Sequence, residues 1–295
     1  MPLTLALPAM GTRFELVLSG GDEVELRAAG EEAFAEIGEI ERMISPFRSD
    51  SEVSRLHRAA GREAIRVSPV FLAVLTEMRE AVARTDGLFD PTIGPLTELW
   101  GIRGGAEGTP PPDDVLEECL AFVGFERVLE IDESRGRVRL LDSRARLDVG
   151  AIGKGLAVDR ALSVLSDAGV ETALLHGGTS TVAALGAPPG RAHWVVALGE
   201  ELPDACLSDG SCLSVSTPHG RSRAISHVID PRTGRPTSAR ELAAVVVPGG
   251  AAVADALSTG LLVGDVTAVG ADVAHLTVEA GAATVHQPSG SSVFT

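Results

Sequence analysis

Two side-chain oxygens one helical turn apart are the sharpest chemical signal in this chain. In "ADALSTGLLVG", Asp255 and Thr259 stand four residues apart on a predicted helix and share a face. A carboxylate and a hydroxyl at that spacing can fill two positions around a hard cation such as Mg2+, which keeps the others for water, phosphate or a backbone carbonyl. The same pair also suits a helix start, with Asp255 as the cap and Thr259 bonded back to the preceding turn. Mid-chain, "LDVGAIGKGLAVD" runs from an apolar strand ending at Asp148, through a glycine-bearing bend with Lys154, into a helix. Exposed N–H groups and a lysine at such a bend suit phosphate, although an ordinary strand-to-helix turn uses the same glycines. It is not a Walker loop: Asp148 stands at the first glycine position, and Gly155 follows the lysine.

Two further stretches add polar groups. "GLFDPTIGPLTELWG" holds Phe89 and Trp100, two of the chain's few aromatics, and Asp90 before Pro91, placed to cap a turn or to bind. "SHVIDPRTGRP" places His227 near the end of an apolar strand and Asp230 at a Pro-Arg-Thr-Gly turn. A histidine there serves as a general base, a phosphate ligand or a structural group. Arg232 either neutralises phosphate or sits solvated on the turn. Together the four stretches supply a cation site, an anion cradle, apolar walls and a histidine, the parts needed to grip a nucleotide pyrophosphate.

The elements that must position these groups follow from periodicity. Leu3–Leu7 and Phe14–Leu18 alternate as two strands, and Glu23–Ile44 carries apolar residues at helical spacing. Helices are also predicted over Val70–Ala83, behind a Ser68-Pro69 start, and over Asp113–Leu120, Gly153–Ala168 and Val253–Leu262. Gly101–Pro112 is Gly/Pro-rich and reads as a surface loop. Val128–Ile131 and Val138–Leu141 form a hairpin. Strands are predicted at Ala173–Leu175, Trp194–Ala197, Leu213–Val215, Ala224–Ile229, Ala243–Val247 and Ala283–His286. The order lacks a regular βαβ rhythm, which favours an α+β fold with a largely antiparallel sheet and packed helices.

Composition narrows the function. The 295 residues are 44% hydrophobic and 3% aromatic with no tyrosine, so Ala, Val, Leu and Ile must build the core. A net charge of −16 disfavours nucleic acid and anionic membrane surfaces as partners. Three cysteines without a C-x-x-C fit neither a disulfide framework nor a zinc knuckle, and fit a reducing compartment. The N-terminus alternates like a strand and shows no basic-then-apolar leader, and no run is a credible membrane span. The expectation is a cytoplasmic protein.

Seven segments in order then resemble one family. They are "AMGTRFEL", "ISPFRSDSEVSRL", "GLFDPTIGPLTELWG", "LDVGAIGKGLAVD", "HGGTS", "STP…SHVIDPRTGRP" and "ADALSTGLLVG". They are similar to the FAD:protein FMN transferases of the ApbE family, across nearly the whole chain. The resemblance implies two intertwined subdomains with the active site between them, within a single flavin transferase domain over 1–295. It implies Mg2+-dependent cleavage of FAD, transfer of FMN through a phosphoester to a Thr/Ser of an acceptor protein, and release of AMP. FAD hydrolysis to FMN and AMP, and non-catalytic flavin binding, are the alternative activities. Carried over by position, Asp255, Thr259 and the carbonyl of Ala151 match metal ligands. Met10, Phe47, Leu88, Phe89, Asp90, Asp148, Lys154 and Ile229 match flavin-nucleotide contacts, and His227 matches a general base. The chain departs from the common pattern at Phe47, His57, Thr179 and Pro218–Arg223.

Overall fold

The computed structural model describes residues 2–102, 110–219, 226–266 and 273–295. Its frame is an eight-stranded, wholly antiparallel sheet. Strands β1 (Leu3–Ala9) and β2 (Thr12–Ser19) form a hairpin, and β3 (Ile65–Arg66), β4 (Leu129–Asp132) and β5 (Arg137–Leu140) form a separate small sheet ordered β3-β5-β4. The large sheet continues with β6 (Thr172–Gly177) and β7 (Thr181–Leu185). A short hairpin, β8 (Trp194–Val196) with β9 (Ala205–Leu207), comes next in the chain. The remaining strands are β10 (Ser211–Ser216), β11 (Leu242–Pro248), β12 (Ala274–Glu279) and β13 (Ala282–His286). The large sheet reads β1-β2-β6-β7-β10-β11-β12-β13.

Eight helices complete the described fold: α1 (Glu23–Ile44), α2 (Glu52–Ala59), α3 (Pro69–Arg84), α4 (Gly94–Leu99), α5 (Asp113–Leu120), α6 (Phe125–Val128), α7 (Gly153–Asp167) and α8 (Ala251–Val263). Helix α1 starts where Asp22 accepts hydrogen bonds from the Val24 and Glu25 N–H groups, and buries the stripe Leu26, Ala33, Ile37, Ile40 and Ile44. Helices α1, α7 and α8 cover one face of the sheet and share its main core. The β8–β9 hairpin and Phe294 cover part of the other. Helix α8 is buried almost all round, as expected for an Ala- and Leu-rich segment between a sheet and two other helices.

Two predicted strands are absent as such. The stretch before Asp148 makes only an isolated bridge, Ile93 to Arg146. Its next N–H groups leave the ladder direction: Leu147 donates to His57 Nε2 (2.9 Å) and Asp148 to the Pro91 carbonyl (2.6 Å). Likewise Ser226–Ile229 forms only the bridge Ile229 to Pro236, because Asp230 folds the chain back at once. Residues 224–225 of that predicted strand, 103–109 of the predicted loop and 220–223 of the divergent segment lie outside the described residues.

Candidate active site

The site is built where α7 and α8 touch. Gly155 makes the contact possible: a Cβ there would lie 2.4 Å from the Ala251 carbonyl oxygen and from Ala252 Cα. With no side chain in the way, the Gly155 N–H donates to Asp255 Oδ2 at 2.8 Å. Asp255 Oδ1 accepts from Thr181 Oγ1 (2.8 Å, β7) and Ser214 Oγ (2.6 Å, β10). Asp255 thus lies in the second turn of α8 and does not cap it, contrary to one sequence reading. The cap is supplied from outside: Asp159 on α7 accepts from the Ala251 and Ala252 N–H groups at 2.6 and 2.9 Å, because the residue at the N-cap position, Gly250, has no side chain to offer.

Electrostatics follow from this burial. Asp255 is 3% exposed. Burial pushes its carboxyl above the usual range, while the nearby Lys154 charge and the three hydrogen bonds hold it down. Burial pushes Asp159 up to about 6, against its two backbone bonds and with the Asp255 charge adding to the rise. The Cys212 thiol is pushed up to about 12 by burial and by the two carboxylates, which removes it as a nucleophile.

A cleft of about 580 Å3 opens over this junction. It is lined by Asp255, Thr259, Ala151, Lys154, Asp148, Phe47, Leu88, Phe89, Asp90, Ile229 and His227. These are eleven of the twelve residues expected from sequence. Met10 is the exception, because it lines an adjoining cavity of about 350 Å3 that shares Phe47, Gly150 and Lys154 with the cleft. Its φ of 51° sets the β1–β2 turn, and its N–H donates to Glu41 on α1.

The opposite wall rests on the Pro-Arg-Thr-Gly turn. Trp100 donates its indole N–H to the Gly234 carbonyl (2.7 Å), and Gly234, with φ 69°, packs against Leu96 and Leu116. Arg232 forms a two-point pair with Asp230, so its charge goes to the turn. His227 is exposed between buried neighbours and lies in the cleft lining, and its backbone N–H donates to the Pro218 carbonyl. Asp90 is buried, with Oδ1 held by Thr92 and Oδ2 by the Phe125 N–H. Asp148 accepts from Gly150 N–H and from Thr97 Oγ1.

At the bend read in the sequence as an anion cradle, four N–H groups are already committed. The N–H groups of Gly150, Ile152, Gly153 and Gly155 all donate within the protein. Lys154, which the sequence reading also named, brings positive charge to the bend and lines the cleft. Sequence reading also missed a hydroxyl chain behind Asp255: Ser214 to Ser258 (3.0 Å), Ser258 to Ser216 (2.8 Å) and Ser216 to Thr259 (3.4 Å). The alternation Ser214-Val215-Ser216 on a strand was the available signal, since it places both hydroxyls on one face.

The same architecture recurs in a solved structure, the flavin transferase ApbE from Vibrio cholerae, at TM-score 0.81 and 25% identity, covering 98% of both chains. Two FAD:protein FMN transferases from Klebsiella pneumoniae (strain 342) are 28% and 31% identical, covering 86% and 87% of this chain and 76% and 78% of their own lengths. The mixed α+β fold with its large antiparallel sheet is therefore that of a flavin transferase. The ApbE family model matches residues 10–280, and the chain belongs to the ApbE family. With these relatives it is a transferase enzyme.

Proposed function

We propose that this chain is a Mg2+-dependent FAD:protein FMN transferase, acting as a single domain over residues 1–295. The observation that carries the reading is the Gly155–Asp255 hydrogen bond, which brings the mid-chain bend onto α8 beneath one cleft. The names of its relatives support the substrate. Three unpaired cysteines agree with a cytoplasmic setting.

The donor set fits magnesium. Asp255, Thr259 and the Ala151 carbonyl offer only hard oxygens, and Asp255 Oδ2 keeps a lone pair beyond its bond to Gly155. Among the described residues no group of three or more His, Cys, Asp or Glu could hold a metal unaided. One carboxylate with neutral oxygens suits an ion that shares its shell with substrate phosphates. When bound, the ion supplies charge neutralisation at the bridging and leaving oxygens of the diphosphate.

The chain's own residues do the rest. Lys154 draws the diphosphate into the cleft, and Phe47, Leu88, Phe89 and Ile229 offer apolar surface for the ring system, with Met10 in the adjoining cavity. Asp90 and Asp148 shape the lining, each with both carboxylate oxygens already accepting from protein donors. His227 takes the proton of the acceptor Thr/Ser hydroxyl as its oxygen bonds to the FMN phosphorus. The phosphorus–oxygen bond to AMP breaks, and AMP leaves with the electron pair.

The test incubates the protein with FAD and Mg2+, with and without a candidate acceptor protein. Covalent FMN on the acceptor by mass spectrometry, with AMP released in step, is expected. Rapid AMP release without acceptor would make the chain a hydrolase, and FAD retention without turnover a binding protein. His227→Ala is expected to lower transfer by about 10²–10⁴-fold while FAD still binds. Loss of FAD binding in that variant would make His227 a ligand instead.

A further inference from the structure

Outside the cleft, an arginine cluster stands out on a chain of net charge −16. Arg58, Arg62 and Arg146, with His57 and Ser143, line an open depression of about 420 Å3. Among the described residues none of the three guanidinium groups forms an ion pair. They donate to backbone carbonyls instead: Arg58 to Ser49, Arg62 to Arg58, and Arg146 to Ser143 and Ala145. A guanidinium carries five N–H donors, so each keeps both donors and an uncompensated charge. Their neighbours in the chain do pair, Arg55 with Glu52 and Arg144 with Glu118, so what distinguishes Arg58, Arg62 and Arg146 is that three unpaired guanidinium groups share one depression.

The depression is built rather than incidental. Gly61, at φ 71°, turns the chain after α2 so tightly that a Cβ would lie 2.6 Å from the Ser143 nitrogen, and its N–H donates to the Leu140 carbonyl. That contact fixes the segment carrying Arg58 and Arg62 against the one carrying Arg146. The Leu147 N–H, bonded to His57 Nε2, ties them a second time.

The depression also leads to the cleft. His57 and Arg146 line a second hollow of about 280 Å3 together with Phe47. Phe47 lines the cleft as well, and is 85% exposed. A groove thus runs from the three arginines on the outer surface to an exposed aromatic at the cleft mouth, with Glu98 the one carboxylate among the residues lining the connecting hollow.

We propose that this groove seats an acidic segment of the acceptor polypeptide, with its carboxylates on Arg58, Arg62 and Arg146 and its hydroxyl-bearing residue reaching past Phe47 into the cleft. Charge complementarity selects the occupant: against a strongly negative chain, an acidic segment is held only where arginines are left unneutralised. The proposal rests on the transferase reading, since it is the acceptor that must reach the cleft from outside.

The test uses the full chain and two fluorescein-labelled peptides, one of alternating glutamate and serine and one with glutamine for glutamate, read by anisotropy at low salt without FAD. The glutamate peptide is expected to bind saturably and about tenfold more tightly than the glutamine peptide. In the double variant Arg58→Gln/Arg62→Gln that preference is expected to collapse, while Arg58→Lys/Arg62→Lys keeps most of it. FAD affinity, measured separately on the same variants, is expected to stay unchanged. Equal binding of the two peptides, or a preference untouched by the glutamine variant, would overturn the groove. So would a loss of FAD affinity in that variant, which would give the groove to the dinucleotide. Peptide binding is read without flavin, so a chain that failed to transfer FMN would leave this result standing, and the reverse holds equally.

Discussion

Asp255 and Asp90 are both buried carboxylates in the lining of one cleft, and they are held in opposite ways. Each accepts three hydrogen bonds, and burial raises the pKa of both. Asp90 takes two of its donors from Thr92, two residues on, and the third from the start of α6. It knots a loop. Asp255 collects its donors from β7, β10 and α7, and also feels the Lys154 charge. It joins three elements at the point where a ligand's charge would arrive. Equal burial therefore does not mean equal purpose: a cation lies near each, Arg127 by Asp90 and Lys154 by Asp255, and what separates them is how many elements supply the donors.

The largest expected effect tests that contrast directly. Asp255→Ala should lower Mg2+-dependent FMN transfer by about 10³-fold with a cooperative fold retained, because Ser214 lines the cleft and keeps Ser258 as a hydrogen-bond partner. Asp90→Ala should do the reverse. Its donors, Thr92 and the first N–H of α6, are buried and hold the loop to that helix, so a loss of about 3 kcal/mol in urea unfolding is expected, with residual activity tracking the folded fraction. If Asp255→Ala lost as much stability as Asp90→Ala, both carboxylates would be scaffold and the contrast would fail.

A smaller effect sharpens it through pH. The folded protein keeps a proton on Asp159 up to about pH 6, whereas the free side chain releases it near 3.8. The folded state binds more protons between those values, so the stability this group contributes is full below the lower one and declines as pH rises through the upper. Asp159→Asn removes that decline. Thermal unfolding from about pH 4 to 7 should show the variant gaining on the parent as pH rises, by an amount on the order of 3 kcal/mol. Parallel profiles would mean that Asp159 is already charged in the fold at pH 4.

Periodicity and caps made the long elements legible. Helix α1 runs over Glu23–Ile44 as its spacing predicts, and α5 over Asp113–Leu120. Short elements escaped. Helix α2 is rich in Arg and His, and its start depends on Ser51, a cap visible only once the helix is suspected. Strand β7 follows "GGTS" with small residues that carry no alternation. For the site, family motifs brought eleven residues to one cleft, yet they did not show Thr181, Ser214 or Asp159 acting on α8. Those contacts join residues 41 to 93 positions apart, and no local pattern encodes such a meeting.

The indole bond of Trp100 has a practical corollary. With no tyrosine and only two tryptophans in the chain, intrinsic emission comes from Trp100 and from Trp194 on β8. Trp194 belongs to the layer on the other face of the large sheet, while Trp100 is 6% exposed and bonded to the turn that follows His227. The protein therefore carries its own optical gauge. A change in the seating of that turn alters the polarity around a single lamp, and selective replacement of Trp194 by phenylalanine would leave that lamp alone to report it.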